Sequence, residues 1–220
     1  MEKPRLTMDG VKQLLDTRFI NVFDLQYEPG KHYYNATRNK AGDLTALKSD
    51  SEFQAMAPDA VSCFVIVKVR GEEPKLLLSY EFRYPAGQFL LSPPAGLIDL
   101  EDRESEVPAL LTAKREIFEE TGLPVGETDR IWLVNPLLFS SPGMTDESNA
   151  LACAVISMAC FDGLDRAGAV GTELFSGYEL YTEEDARRIL REGRDDNGNF
   201  YSVYTWCALM YFVSGLWKEQ

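Results

Sequence analysis

Histidine is almost absent from this 220-residue chain, and cysteine is sparse and scattered. A lone His32 and four cysteines (Cys63, Cys153, Cys160 and Cys207) with no CxxC pair exclude a Cys/His zinc site. The cysteines read as buried, reduced thiols of a cytoplasmic protein rather than as a disulfide framework. Positive charge is also in deficit: 22 Lys and Arg against 35 Asp and Glu leave a net charge of −13. Gripping a nucleic-acid backbone or an anionic membrane needs clustered cations, so neither partner is expected. Long apolar runs are missing as well. The opening MEKPRLTMDGVKQLL has no apolar stretch before a small-residue cleavage site, so no signal peptide is expected. The segment 200–217 is uncharged but carries Tyr, Ser, Thr and Gly, and reads as a buried C-terminal helix rather than a membrane span. Repeats, low-complexity tracts and long linkers do not occur.

What remains is a chain 45% hydrophobic, ample for a core without metal or disulfide staples. Thr7 to Asp16 reads as a short helix. Ile20–Leu25 and His32–Arg38 read as strands around a turn at Glu28-Pro29-Gly30. Ser51 to Met56 reads as one helical turn, stopped before Pro58. Val61–Val69 and Lys75–Phe82 are strand-like, rich in β-branched and aromatic residues. A helix over Glu106–Thr121 follows, with Pro108 in its first turn, where a missing N–H costs least. Strands at Ile131–Phe139 and Ala150–Cys160 come next, then a Gly-rich loop, a strand at Tyr178–Tyr181 and a helix over Glu183–Arg191. Interleaved strands and helices predict an α/β or α+β layered domain over residues 59–220, with a β-rich appendage over 1–58.

The chemistry concentrates in Arg115-Glu116-Ile117-Phe118-Glu119-Glu120-Thr121-Gly122-Leu123. At about 100° per residue from Val107, the apolar Val107, Leu110, Leu111, Ile117 and Phe118 fall within roughly 80° of zero. Glu116, Glu119 and Glu120 then fall at about 180°, 120° and 220°, on the side away from the expected packing face. Three carboxylates at i, i+3 and i+4 repel one another, and they crowd the helix C-terminus, where the dipole disfavours anions. Accepting both penalties points to a bound cation. Oxygen-only ligands favour Mg²⁺ or Mn²⁺ over zinc. The plainer alternative is a solvated acidic face with Arg115 paired to Glu119.

These nine residues match every fixed position in the second half of the Nudix box. Pro94-Ala95-Gly96-Leu97-Ile98-Asp99 resembles the opening of that box in ADP-ribose pyrophosphatases. The resemblance covers roughly residues 60–217 and implies a Nudix fold, a mixed β-sheet sandwiched between helices. It departs from the pattern at one place: Gly96 and Arg115 stand five residues further apart than in the family. The extra residues are expected within 100–105. The family's early Glu falls on Val107, with Glu106 one step away as its candidate replacement.

The resemblance further implies a Mg²⁺-dependent pyrophosphohydrolase, with Mn²⁺ as an alternative ion and a small-molecule nucleoside diphosphate derivative as substrate. Glu116 and Glu120 would be the principal ligands, Glu119 would share the ion, and the Ala95 carbonyl would complete the cage. Arg115 would orient Glu119. Arg83, in Glu81-Phe82-Arg83-Tyr84-Pro85, would reach the phosphates, with Tyr80 standing where a second Arg often occurs. Gly143, Met144 and Glu147, in the Ser-Pro-Gly loop, would line the terminal-ribose pocket, and Tyr34 with Tyr27 and Tyr33 would serve the base. Glu173, in the loop 162–177, would be the general base, with Glu179 as the alternative. ADP-ribose, giving AMP and ribose 5-phosphate, is the expected substrate. A nucleotide sugar, an NADH-type dinucleotide, or a non-catalytic nucleotide sensor are the alternatives. A homodimer is expected, its N-terminal strands reaching the partner.

Overall fold

A computed structural model describes residues 3–160 and 174–220. The chain forms two compact units, one of Met1–Asp59 with Leu137–Asn149, the other of Ala60–Pro136 with Ala150–Gln220.

The first unit is built on an antiparallel three-stranded sheet in the order β1-β2-β3: β1 (Val11–Asp16), β2 (Asn21–Glu28) and β3 (Lys31–Thr37). Pro29-Gly30 makes the expected hairpin turn, with Glu28 opposite Lys31 and Gly30 at φ 75°, a conformation that favours glycine. The expected helix over Thr7–Asp16 does not form. Only Met8–Gly10 turns, as a single 3₁₀ turn, and Val11 onward pairs with β2. The reason is tertiary. Val11 packs with Leu6, Ala41 and Leu47 around the buried Phe23, Leu25 and Leu44, and a strand delivers it there. A short helix α1 (Asp50–Gln54) follows, closed by a capping box between Ser49 and Glu52.

The second unit is a seven-stranded sheet flanked by helices. Its main path is β10 (Phe175–Tyr181), β5 (Lys75–Arg83), β4 (Ala60–Val69), β9 (Ser148–Met158) and β8 (Arg130–Phe139), with β6 (Gln88–Ser92) on β5 and β7 (Ala95–Leu97) on β4. Strand β4 is almost uninterruptedly apolar because both its faces are covered. Val61, Cys63, Val65 and Val67 pack with Ala109, Ala113 and Ile117 of helix α2 (Pro108–Thr121). Phe64 looks the other way, its ring 5.8 Å from that of Tyr211 on helix α4 (Val203–Ser214). Helix α3 (Glu183–Glu192) packs beside α4. This is the expected α+β sandwich. The short strands β6 and β7 were not anticipated, and β10 begins at Phe175, three residues before its expected start. Among the described residues no helix is long and apolar enough to cross a membrane.

Candidate active site

Helix α2 starts where Pro108 takes its first position and stops at Gly122, whose φ of 71° lets its N–H donate to the Phe118 carbonyl at 2.8 Å. Its packing face differs from the one the apolar residues predict. The buried side chains are Ala109, Thr112, Ala113, Ile117, Glu120 and Thr121, whereas Val107, Leu111 and Phe118 are exposed, Phe118 by 55%. On the same helical wheel the buried arc centres at roughly 230°, on Glu120 rather than opposite it. The physical reason is size. Ala109, Thr112 and Ala113 are small, so this side can approach β4 closely, and Cys63 Sγ reaches to 3.8 Å from the Ala113 carbonyl oxygen. Packing density outweighed the count of large apolar groups.

That rotation carries two of the three carboxylates inward. Glu120 is buried, and its Oε1 accepts the Ala95 N–H at 3.0 Å. The Glu116 side chain is 12% exposed and lies directly over Gly96; a Cβ added there would collide with its carboxylate. Gly96 is therefore required by close approach rather than by backbone angle. Both acids thus meet the Ala95–Gly96 edge of β7. The Cys63 thiol registers the same convergence: burial first, then the charges of Glu120 and Glu116, push it well above the usual thiol range. Glu119 stands further out, 34% exposed. Of the solvated alternative only the Arg115–Glu119 pair is present; Glu116 and Glu120 are turned away from solvent.

Arg115 organises the edge. Its Nη1 meets Glu116 Oε1 at 2.7 Å and Glu119 Oε2 at 3.2 Å. Its Nη2 donates to the Leu97 carbonyl at 3.3 Å and pairs with Asp99 at 3.1 Å and Asp102 at 3.3 Å. Burial opposes this charge, but the carboxylates, Glu116 foremost, outweigh it and hold the guanidinium pKa above its ordinary value. Asp102 is the residue that sequence reasoning missed. It sits on a 3₁₀ turn (Asp102–Glu104) within the inserted stretch, is buried, and accepts the Thr112 hydroxyl at 2.8 Å. Glu106, the expected replacement for the early box Glu, is exposed. The available signal was an acid in an insertion one helical approach away from an otherwise unexplained Thr112.

Oxygen donors gathered on one backbone edge suit a hard divalent cation, which typically takes one or two carboxylates and keeps several waters. Among the described residues no three Asp, Glu, His or Cys side chains form a ready-made metal cage. The edge instead offers two inward carboxylates, Glu116 and Glu120, beside Ala95.

The remaining expected contacts divide between the units. In the second unit Arg83 ends β5 half-exposed and pairs with Glu81 at 2.6 Å. Tyr80 turns inward; it is buried, with its hydroxyl 3.3 Å from that of Tyr181, so it has no grip on solvent-side phosphate. In the first unit the Ser-Pro-Gly loop lies along β3: the Ala36 N–H donates to the Met144 carbonyl at 3.0 Å, and the Tyr33 hydroxyl donates to the Gly143 carbonyl at 2.8 Å. Glu147 accepts from Arg38 Nε at 3.4 Å. Tyr34 is exposed and stands opposite Asp24 of β2 in the antiparallel register. Glu179 is an exposed strand residue of β10. Glu173, together with Asp162 and Asp165, lies outside the described residues.

No family model matches the chain. Over 93 residues it is 34% identical to a putative Nudix hydrolase 2 of Caenorhabditis elegans, covering 42% of this chain and 38% of that protein. Over 101 residues it is 32% identical to an uncharacterized Nudix hydrolase of Schizosaccharomyces pombe, covering 46% of this chain and 44% of that one. The chain therefore spans less than half the length of these curated relatives. In structure it superposes on an ADP compounds hydrolase with a TM-score of 0.60 at 16% identity, over 100% of this chain and 97% of the other. The fold is shared.

Proposed function

We propose that this chain, related to Nudix hydrolases over part of its length and sharing the fold of an ADP compounds hydrolase, cleaves the pyrophosphate bond of a nucleoside diphosphate derivative. ADP-ribose, giving AMP and ribose 5-phosphate, is the proposed substrate. The observation that carries this reading is the pair of inward carboxylates, Glu116 and Glu120, drawn onto the Ala95–Gly96 edge by a helix that buries its acidic side. A divalent cation held by these acids would let a protein of net charge −13 accept a dianionic pyrophosphate.

In this proposal Glu116, Glu120 and the Ala95 carbonyl hold Mg²⁺, or Mn²⁺ in its place, with Glu119 sharing it. When bound, the ion supplies neutralisation of phosphate oxygens and eases ionisation of water. Arg115 keeps Glu116 and Glu119 in fixed rotamers. Arg83 binds phosphate oxygens, and Tyr34, Gly143, Met144 and Glu147 contact the nucleoside and terminal ribose. Glu173 accepts the proton of the water that attacks one phosphorus. The bridging P–O bond breaks, and its electron pair leaves with the departing phosphomonoester. Replacing Glu173 with Gln is expected to lower kcat by about 10²–10⁴-fold with little change in KM, in steady-state assays.

Phosphate release coupled to a phosphatase, across ADP-ribose, nucleotide sugars and NADH, with and without Mg²⁺, tests the reading. Mg²⁺-dependent turnover led by ADP-ribose supports it, turnover led by another substrate reassigns specificity, and tight binding without turnover makes the protein a sensor. A homodimer is also proposed, since the edge strand β1 leaves Leu14 and Leu15 exposed. Light scattering at micromolar concentration is expected to report twice the 24.8 kDa chain mass, and a stable monomer ends that proposal.

A further inference from the structure

The Nudix-box pattern needs an acid eight residues before Arg115, and this chain has Val107 there, exposed and without any carboxylate. The second unit supplies one from elsewhere. Asp102 projects from the 3₁₀ turn within the stretch that lengthens the spacing from Gly96 to Arg115. One carboxylate oxygen, Oδ2, takes both available donors: the Thr112 hydroxyl at 2.8 Å and Arg115 Nη2 at 3.3 Å. Thr112 itself is fully buried on the sheet-facing side of α2, three residues before Arg115. Its hydroxyl therefore fixes where the Asp102 oxygen sits relative to the helix.

We infer that Asp102 is a positioning residue for the carboxylate edge, acting through Arg115, and that the inserted stretch 100–105 exists in functional terms to deliver it. This rests on the proposed metal-dependent reading. A guanidinium has a planar fork of donors and one charge to share. With Nη2 anchored on Asp102, Nη1 presents to Glu116 and Glu119 from a defined direction. The neighbouring Asp99 also pairs with Arg115, but it is 65% exposed where Asp102 is 12%, so solvent screens it and Asp102 sets the position. Removal of the Asp102 charge leaves Arg115 free to swing toward Asp99 or solvent, and the two acids lose their fixed rotamers.

The test compares Asp102→Asn with the wild-type chain, and uses Glu104→Gln, an exposed acid of the same turn, as the matched control. Mn²⁺ affinity is read by electron paramagnetic resonance, and order at Arg115 by side-chain ¹⁵N NMR without metal. Asp102→Asn is expected to weaken Mn²⁺ binding about 10–100-fold and to speed exchange of the Arg115 guanidinium protons. Thr112→Val is expected to do the same to a smaller degree, and Glu104→Gln to change neither readout. A purely structural Asp102 would lower the melting temperature yet leave Mn²⁺ affinity of the folded protein unchanged, which overturns the inference. Equal Mn²⁺ affinity and equal Arg115 exchange in Asp102→Asn overturn it as well, while wild-type binding and turnover leave the proposed function standing. A wild-type chain that binds no Mn²⁺ overturns both.

Discussion

Helices α2 and α3 each carry three acidic residues within about a turn, at opposite ends. In α3 they are Glu183, Glu184 and Asp185, in the first turn, where the helix dipole favours negative charge. Thr182 and Asp185 close a capping box, Glu183 pairs with Arg187 at 2.7 Å, and Arg191 occupies the last turn. Each of these three is where an isolated helix would want it, and the fourth acid of α3, Glu192 at its end, is paired with Arg188 at 3.7 Å. In α2 the acids stand at the other end, the last turn holds no basic residue, and Glu116 and Glu120 are turned toward the sheet. Composition alone cannot separate the two helices. Position against the dipole does: acids that help their helix serve stability, whereas acids that burden it need another reason to be there.

Replacing Glu120 with Gln should break that contrast most visibly. Gln retains an oxygen to accept the Ala95 N–H but no charge, so turnover at saturating Mg²⁺ is expected to fall by ~10²-fold or more. Without metal the melting temperature is expected to hold or rise, because like charges at the helix end cost roughly a few tenths of a kcal/mol per pair. Turnover near the wild-type level would return Glu120 to an ordinary structural role.

A second change leaves every acid in place and disturbs only the close approach. Gly96→Ala puts a methyl group where the Glu116 carboxylate lies. The carboxylate is expected to be pushed off the β7 edge, with metal affinity falling about 10–100-fold. Calorimetric titration with Mn²⁺ measures this, and unchanged affinity would show that Glu116 does not need its present seat.

On α3 the expected effect is on stability alone, and it is the smallest. Thr182→Ala removes the cap and is expected to cost about 1 kcal/mol, or roughly 2–4 °C in melting temperature, with kcat unchanged. The loss should depend on pH. The Thr182 hydroxyl, more than Arg188, holds the Asp185 carboxyl below its ordinary value. A depressed folded pKa stabilises above the unfolded carboxylate range and loses that stabilisation as pH falls through the folded value. The gap in melting temperature between wild type and Thr182→Ala should therefore be full near neutrality and narrow below about pH 4, where only the bond from the Asp185 N–H to the Thr182 hydroxyl remains. A gap that does not narrow in acid would mean the hydroxyl acts through that neutral hydrogen bond alone.

Local signals foretold local structure well. Pro108 and Gly122 bounded α2, Pro29-Gly30 made its hairpin, and the β-branched residues of Val61–Val69 formed the expected strand β4. They failed where a partner in space decided the outcome. Val11–Asp16 has residues that suit a helix as well as a strand, and pairing with β2 chose the strand. Strand β7 is three residues long and exists through its ladder with Ala60–Ser62. The box residues were legible because their spacing is fixed by helix geometry, and Asp102 was not because the contact that matters crosses an insertion of arbitrary length.

The chain by itself determined its class, its carboxylate helix and the ends of that helix, because caps, turns and helical spacing act over a few residues. It also determined the kind of ion those acids suit, since donor chemistry travels with residue type. Only the tertiary structure decided which side of α2 turns inward. The sequence has large apolar groups on one side and small ones on the other, and a count of apolar residues favours the first. Close packing against β4 favours the second, because Ala109, Thr112 and Ala113 let the backbone approach while Phe118 remains outside. That choice places Glu116 and Glu120 on the Ala95–Gly96 edge and brings Asp102 within reach of Arg115, contacts that depend on distance between segments and so have no trace in spacing along the chain.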